Sequence, residues 1–240
     1  MAHPSDADVP MGAVGVVIVA AGSGSRLGAA VPKAFVLVGG RPLLWYAVRS
    51  ALACHPAALV VAAPPTHVAD AATVVDALGR QAGIPVRVVA GGAERGDSVL
   101  AGTDALPAEC EVVLVHDAAR AFAPPDVFER VATAVTTDTA AIVPVLPVVD
   151  TMKVVDDQGF VVGTADRESL RIVQTPQGFR REVLLEAHRR HGSVATDDAA
   201  LVELLGRRVG TVAGDPAALK VTTPDDLAHA ERLVAHVEHR

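Results

Sequence analysis

The stretch Ala20-Ala21-Gly22-Ser23-Gly24-Ser25-Arg26-Leu27-Gly28, followed by Pro32-Lys33, holds the residue types that most directly suggest chemistry. Its glycines let backbone amides come close to phosphate oxygens, and Arg26 and Lys33 can neutralise charge that amides cannot. The spacing argues against two other nucleotide loops. A dinucleotide fingerprint needs G-x-G-x-x-G, whereas the last glycine here comes one residue late and Arg26 intervenes; a Walker loop needs Gly-Lys-Ser/Thr, which is absent. A plain turn after a buried strand is the reading that stands beside phosphate binding.

Three further stretches follow apolar runs. Val115-His116-Asp117-Ala118-Ala119-Arg120 sets a carboxylate at a strand end. Asp117 suits Mg²⁺, a hard cation held by one or two carboxylates plus substrate phosphates; the alternative is a turn cap or a pair with Arg120. His116 is read as a packed or orienting residue and receives no role. In Gly91-Gly92-Ala93-Glu94-Arg95-Gly96-Asp97-Ser98, the Gly92 backbone could read a base edge and Ser98 could reach the base or a ribose. A strand-to-helix turn is the simpler account of the same glycines. Leu219-Lys220-Val221-Thr222 is read as a strand end that places Lys220 before a helix opening near Pro224, and a lone lysine there would be solvated surface.

Positioning these loops requires elements, and short β-branched runs supply them. Residues 14–20, 59–63, 86–90, 111–115 and 140–145 read as buried strands; 42–54, 68–81, 93–105 and 125–136 read as crossover helices, with Pro42 and Pro125 in first turns. That alternation predicts an α/β fold, doubly wound around a mostly parallel sheet, whose ligands sit beyond the carboxyl ends of the strands. The rhythm breaks at 151–155 and 160–163, which flank Asp156-Asp157-Gln158-Gly159 and read as a β-hairpin arm inserted at about 147–173. Helices over 180–191, 197–205 and 224–237 and a strand over 208–212 complete the pattern. Residues 1–11 are expected to form a disordered tail and 12–240 a single domain.

Composition restricts the function classes. Half of the 240 residues are apolar and only 3% aromatic, so the core is built from Val, Ala and Leu, as suits strands buried on both faces. A net charge of −7 with scattered cations argues against a nucleic-acid footprint, which needs a concentrated basic face. No apolar run reaches the ~20 residues that span a bilayer. The first residues lack the pattern of a signal peptide, so a cytoplasmic protein with no membrane partner is expected. Cys54 and Cys110 have no partners at ligand spacing and read as inert and buried.

Taken in order, the motifs resemble those of the methylerythritol phosphate cytidylyltransferases. They comprise the loop from Ala20 to Gly28, Pro32-Lys33, Gly91-Gly92, Arg95, Asp97-Ser98, His116-Asp117-Ala118-Ala119-Arg120, Asp150-Thr151-x-Lys153, Asp166-Arg167, Thr175-Pro176-Gln177, Thr196-Asp197 and Lys220-Val221-Thr222. The resemblance runs from residue 14 to about 230.

This resemblance implies a Rossmann-like nucleotidyltransferase sandwich that joins CTP and methylerythritol phosphate, with release of pyrophosphate, in non-mevalonate isoprenoid synthesis. It implies Mg²⁺ as cofactor, with Mn²⁺ or Co²⁺ as substitutes, and Asp117 beside the metal. Arg26, Lys33 and Lys220 would carry catalysis around the triphosphate. Ala20, Ala21, Gly22, Gly24, Gly92, Ser98, Asp117 and Ala118 would bind CTP, and Thr151, Arg167, Thr175 and Thr196 would hold the acceptor phosphate. It also implies a homodimer in which the arm crosses over, so that Arg167 and Thr175 serve the partner's site. Ala34, Ala93, Ala121 and Asp198 depart from the family pattern, which commonly has glutamine, an acidic residue, proline and glutamate there. Ribitol phosphate cytidylyltransferases and other sugar-phosphate nucleotidyltransferases share the phosphate-loop logic; a binding module without chemistry and a dehydrogenase are the rivals from other classes.

Overall fold

The computed structural model describes residues 11–22, 27, 31–192 and 197–238. A 3-10 turn at Met11–Ala13 leads into β1 (Val14–Val19), β2 (Leu37–Val38), β3 (Arg41–Pro42), α1 (Leu43–Leu52), β4 (Ala58–Ala63), α2 (Val68–Ala82), β5 (Val86–Ala90) and α3 (Arg95–Ala105). The chain continues through β6 (Val112–Asp117), α4 (Pro125–Ala134), β7 (Ala141–Pro147), β8 (Lys153–Val155), β9 (Val161–Thr164), β10 (Arg171–Val173) and β11 (Gln177–Arg180). It ends in α5 (Arg181–His191), α6 (Asp198–Leu204), β12 (Gly210–Ala213) and α7 (Pro224–Glu238).

The main sheet is ordered β10-β7-β11-β6-β1-β4-β5, with β12 also paired to β7. β1 lies in parallel between β4 and β6, and its register pairs Val19 with Asp117 on one side and Ala62 on the other. That alignment brings the loops after β1 and β6 to one edge. Side chains alternate across β1 as strand geometry demands. Val14, Val16 and Ile18 share a buried cluster with Leu44, Ala47, Ala71, Val75, Phe128 and Val131 from α1, α2 and α4. Val17 joins Val99, Val183, Leu184, Ala199 and Val202 from α3, α5 and α6 on the opposite face. The expected doubly wound α/β sandwich is therefore present, with helices on both sheet faces.

One glycine fixes a contact beneath the site. A Cβ on Gly102 would lie 2.4 Å from Val17 Cγ1, so only glycine lets α3 settle this closely on β1. Nearness of α3 to the sheet matters because its first residue is Arg95.

The structure alters several expectations. β11 runs antiparallel between β6 and β7, so two strands read as neighbours in sequence are separated by a later one. Pro42 closes β3 and precedes α1, while Pro125 opens α4 as anticipated. Leu219-Lys220 is not a strand end; it is an extended connection after a 3-10 turn at Pro216–Ala218, tied to the sheet edge by the Val221 N–H donating to the Ala119 carbonyl at 2.8 Å. The arm is a two-stranded sheet of β8 and β9 whose turn is held by Asp156 Oδ1, which accepts from the Gln158 and Phe160 amides. Cys54 and Cys110 are both buried, and burial pushes the Cys54 thiol up to about 12. Among the described residues no helix is long and apolar enough to cross a membrane.

Candidate active site

Loops at the carboxyl ends of β1, β5 and β6 enclose a cavity of about 400 Å³. Of the residues singled out from sequence, Ala20, Ala21, Gly22, Lys33, Gly92, Ser98, Asp117, Ala118 and Lys220 all line it. Arg26, Gly24 and Thr196 lie outside the described residues.

Asp117 is the hub. Ending β6, it turns its carboxylate toward the cavity, where Oδ2 meets Lys220 Nζ at 2.7 Å and Oδ1 accepts from Arg95 Nε and Nη2, each at 3.2 Å. Burial alone would favour the neutral acid, but the Arg95 guanidinium and then Lys220 overcome it and hold the carboxyl well below the usual carboxylate range. Arg95 in turn reaches Asp198 Oδ2 through Nη1 at 2.7 Å, and Asp198 Oδ1 meets His188 Nε2 at 2.9 Å. Against the opposing effect of burial, Asp198 and Asp117 raise the Arg95 guanidinium above its ordinary value. Arg120 joins Asp117 through the turn, its N–H donating to the Asp117 carbonyl at 2.9 Å, while its guanidinium donates to the Ala218 and Val173 carbonyls rather than to the Asp117 carboxylate.

Below Asp117 the floor is polar and buried. The Asp117 amide donates to Thr175 Oγ1 at 3.1 Å, and that hydroxyl also lies 3.0 Å from His116 Nδ1. His116 is fully buried beside the Phe128 ring, and burial drives its pKa down to about 4 despite the opposing pull of Asp117. Thr175, which the resemblance assigns to the acceptor, is buried here and bonded to the Asp117 amide of its own chain. Ser98 is likewise inside the wall: its hydroxyl accepts from the Gly92 amide at 3.2 Å and lies 3.3 Å from the Glu94 carbonyl. Gly92 is obligatory at this bend, since a Cβ would fall 2.1 Å from the Asp97 Cβ.

Thr151 and Arg167 are not in the cavity. Both are on the exposed arm, where Arg167 Nη1 donates to the Val149 carbonyl at 2.7 Å. Around them Val149, Val154, Val155, Phe160, Val161 and Val162 are all exposed. Arg95 belonged to the motif series without a role, and His188 was not singled out at all. The helix expected from residue 93 opens at Arg95 itself, which is what aims this side chain at the cavity; nothing local marks His188.

The cavity thus presents Lys33, Lys220 and Arg95 around one carboxylate and the backbone of Ala20–Gly22. No group of three or more His, Cys, Asp or Glu side chains able to hold a metal occurs among the described residues. A lone Asp117 nonetheless fits an ion that takes most of its remaining ligands from phosphates and water, as Mg²⁺ does. Binding and polarising a polyphosphate, with no covalent nucleophile, is what this set of groups can do.

Comparison with known proteins agrees with that chemistry. The family model described as 2-C-methyl-D-erythritol 4-phosphate cytidylyltransferase matches residues 14–236. The chain is 51% identical over 226 residues to the protein of that name from Saccharopolyspora erythraea, covering 91% of this chain and 98% of the relative. It is 52% identical over 223 residues to a bifunctional enzyme IspD/IspF from Clavibacter michiganensis, covering 92% of this chain but 54% of that longer protein. The solved cytidylyltransferase from Thermus thermophilus superposes with a TM-score of 0.72 at 36% identity, covering 92% of this chain and 98% of that one.

Proposed function

Because the chain belongs to the 2-C-methyl-D-erythritol 4-phosphate cytidylyltransferase family, we propose that its cavity is where CTP and 2-C-methyl-D-erythritol 4-phosphate are joined. The products are 4-diphosphocytidyl-2-C-methyl-D-erythritol and pyrophosphate, in non-mevalonate isoprenoid biosynthesis. A phosphate oxygen of the acceptor attacks the α-phosphorus of CTP; the new phosphorus–oxygen bond forms as the bond to the β-phosphate bridging oxygen breaks, and pyrophosphate leaves with that electron pair. The ribitol phosphate alternative is not favoured by these relatives.

The observation that carries this reading is a single cavity lined by Lys33, Lys220 and Arg95, the last two paired with Asp117. Two anions must approach each other, so the barrier falls mainly through positioning and charge stabilisation. Lys33 and Lys220, with Arg26, neutralise the triphosphate and the departing pyrophosphate. The Ala20–Gly22 and Gly24 backbone and Ala118 pack against the nucleotide, and Gly92 with Ser98 shapes the wall that meets the cytosine. Mg²⁺, held by Asp117 with Mn²⁺ or Co²⁺ as substitutes, would supply charge neutralisation on the phosphates. When the nucleotide arrives, Lys220 exchanges the Asp117 carboxylate for phosphate oxygens.

Acceptor binding falls to the remaining residues. Thr196 is assigned to the acceptor phosphate, Thr175 anchors the Asp117 backbone, and Thr151 and Arg167 hold the methylerythritol phosphate from the arm. Exposed apolar residues on a two-stranded arm call for a covering surface, since an isolated hairpin is marginal in water. We assign that surface to a second copy in a homodimer, and the protein to the cytoplasm, with no nucleic-acid or membrane partner. The deciding experiment is pyrophosphate release with CTP and Mg²⁺, comparing methylerythritol phosphate, ribitol phosphate and a hexose phosphate. Release confined to methylerythritol phosphate is expected; release with another acceptor would replace the substrate, and none with any would remove the enzymatic reading.

A further inference from the structure

We infer that His188 and Asp198 are positioning residues that seat Arg95 in the triphosphate cavity, with Gly96 making room for the imidazole. The inference rests on reading that cavity as the CTP site. Arg95 is the first residue of α3, and a long side chain there has many rotamers unless something grips it. Two carboxylates do. Asp117 takes Nε and Nη2 at 3.2 Å, Asp198 takes Nη1 at 2.7 Å, and the guanidinium plane is fixed from both sides. Those bonds use three of its N–H groups, so the remainder can meet ligand oxygens in the cavity that Arg95 lines.

Asp198 is itself only 1% exposed, and a carboxylate so deeply buried is tolerated only when paired. Its second oxygen is matched by His188 Nε2 at 2.9 Å, and His188 is also buried. His188 comes from α5 and Asp198 from α6, so the grip on Arg95 is delivered by two helices remote from it in sequence. The fit continues at Gly96, where a Cβ would stand 3.3 Å from both Cε1 and Nδ1 of the His188 ring. The residue after Arg95 therefore carries no side chain at the one place where the imidazole passes. Triphosphate binding also asks Asp117 to release part of its hold on the cations, and Asp198 is the anion that keeps Arg95 in place while this happens.

The test is steady-state pyrophosphate release and calorimetric CTP binding by His188→Gln, Asp198→Asn and Gly96→Ala, each made alone and on Arg95→Lys, with thermal unfolding recorded for all. In proteins that still unfold cooperatively, kcat/KM for CTP should fall about tenfold or more, as expected when a binding group is misplaced by a fraction of an ångström. On the Arg95→Lys background the same changes should have almost no further effect, because they act through the guanidinium. Unchanged kcat/KM, or losses that simply multiply with that of Arg95→Lys, would overturn the inference. Should His188→Gln or Asp198→Asn fail to fold, Gly96→Ala decides: it alters no charge and displaces the ring only slightly. Wild-type protein without CTP-dependent release would instead overturn the CTP reading of the cavity.

Discussion

Lys220 Nζ lies 2.7 Å from Asp117 Oδ2, while Arg95 occupies the other carboxylate oxygen. Two of the cavity's cations, Lys220 and Arg95, are thus held in place by one carboxylate. The arrangement keeps the carboxylate ionised and the cations preorganised, and preorganised charge is what makes such a site effective.

Removing one cation should be costly. Lys33→Ala is expected to lower turnover about 10²–10³-fold, as the loss of one preorganised donor does elsewhere. Lys220→Met should act similarly and should also remove the ammonium that helps keep Asp117 ionised. Single-turnover pyrophosphate release separates chemistry from binding, and near-normal turnover in either variant would take that lysine out of the mechanism.

The buried imidazole of His116 predicts an acid-sensitive fold. Its pKa is lowered from 6.5 to about 4, so the unfolded chain binds the proton more readily than the folded one. A depressed histidine contributes stability that is complete above pH 6.5 and is lost as pH falls toward 4, an amount on the order of 3 kcal/mol. Its Nε2 has no protein hydrogen-bond partner among the described residues, so a charged ring would be poorly accommodated. Urea midpoints measured with chelator at pH 7 and pH 4.5 should drop steeply for the wild type and less for His116→Gln; parallel drops would reject this assignment.

Packing of α3 gives a third expectation. Gly102→Ala puts a methyl group 2.4 Å from Val17 Cγ1. Overpacking of this kind costs roughly 1–3 kcal/mol, more than alanine's helical advantage over glycine of about 1 kcal/mol returns. The variant should therefore be less stable in urea, and adding Val17→Ala should recover part of the loss. A Gly102→Ala protein as stable as wild type would mean that α3 can lift from the sheet without penalty.

How much of this was readable in sequence follows from the range of each interaction. β1, β4, β5 and β6 are short, Val-rich apolar runs, and the loops after β1, β5 and β6 carry the glycines and charged residues, so both the strands and most of the cavity wall were legible. β11 was not, because Gln177-Gly178-Phe179-Arg180 has no alternation and follows a proline; its antiparallel place between β6 and β7 is decided by tertiary pairing. Lys220 does not end a strand; the extended connection that carries it is tied to the sheet edge by the Val221 hydrogen bond to Ala119, a tertiary contact with no local signature. The link from His188 through Asp198 to Arg95 joins three helices, and no local spacing reports it.

The arm supplies the last prediction. Phe160, Val161 and Val162 are more than half exposed at 67%, 61% and 62%, which favours cover by a second copy. Phe160→Asp with Val162→Asp should convert a dimer to a monomer in sedimentation and reduce activity. A sharper outcome tests whether Arg167 serves the partner's cavity. Lys33→Ala and Arg167→Ala proteins should each be weak alone, yet after mixing and subunit exchange about a quarter of wild-type activity should return, because half the dimers are mixed and each of those rebuilds one intact site of its two. If Arg167 acted within its own subunit, each mixed dimer would hold one site lacking Lys33 and one lacking Arg167, and mixing would restore nothing.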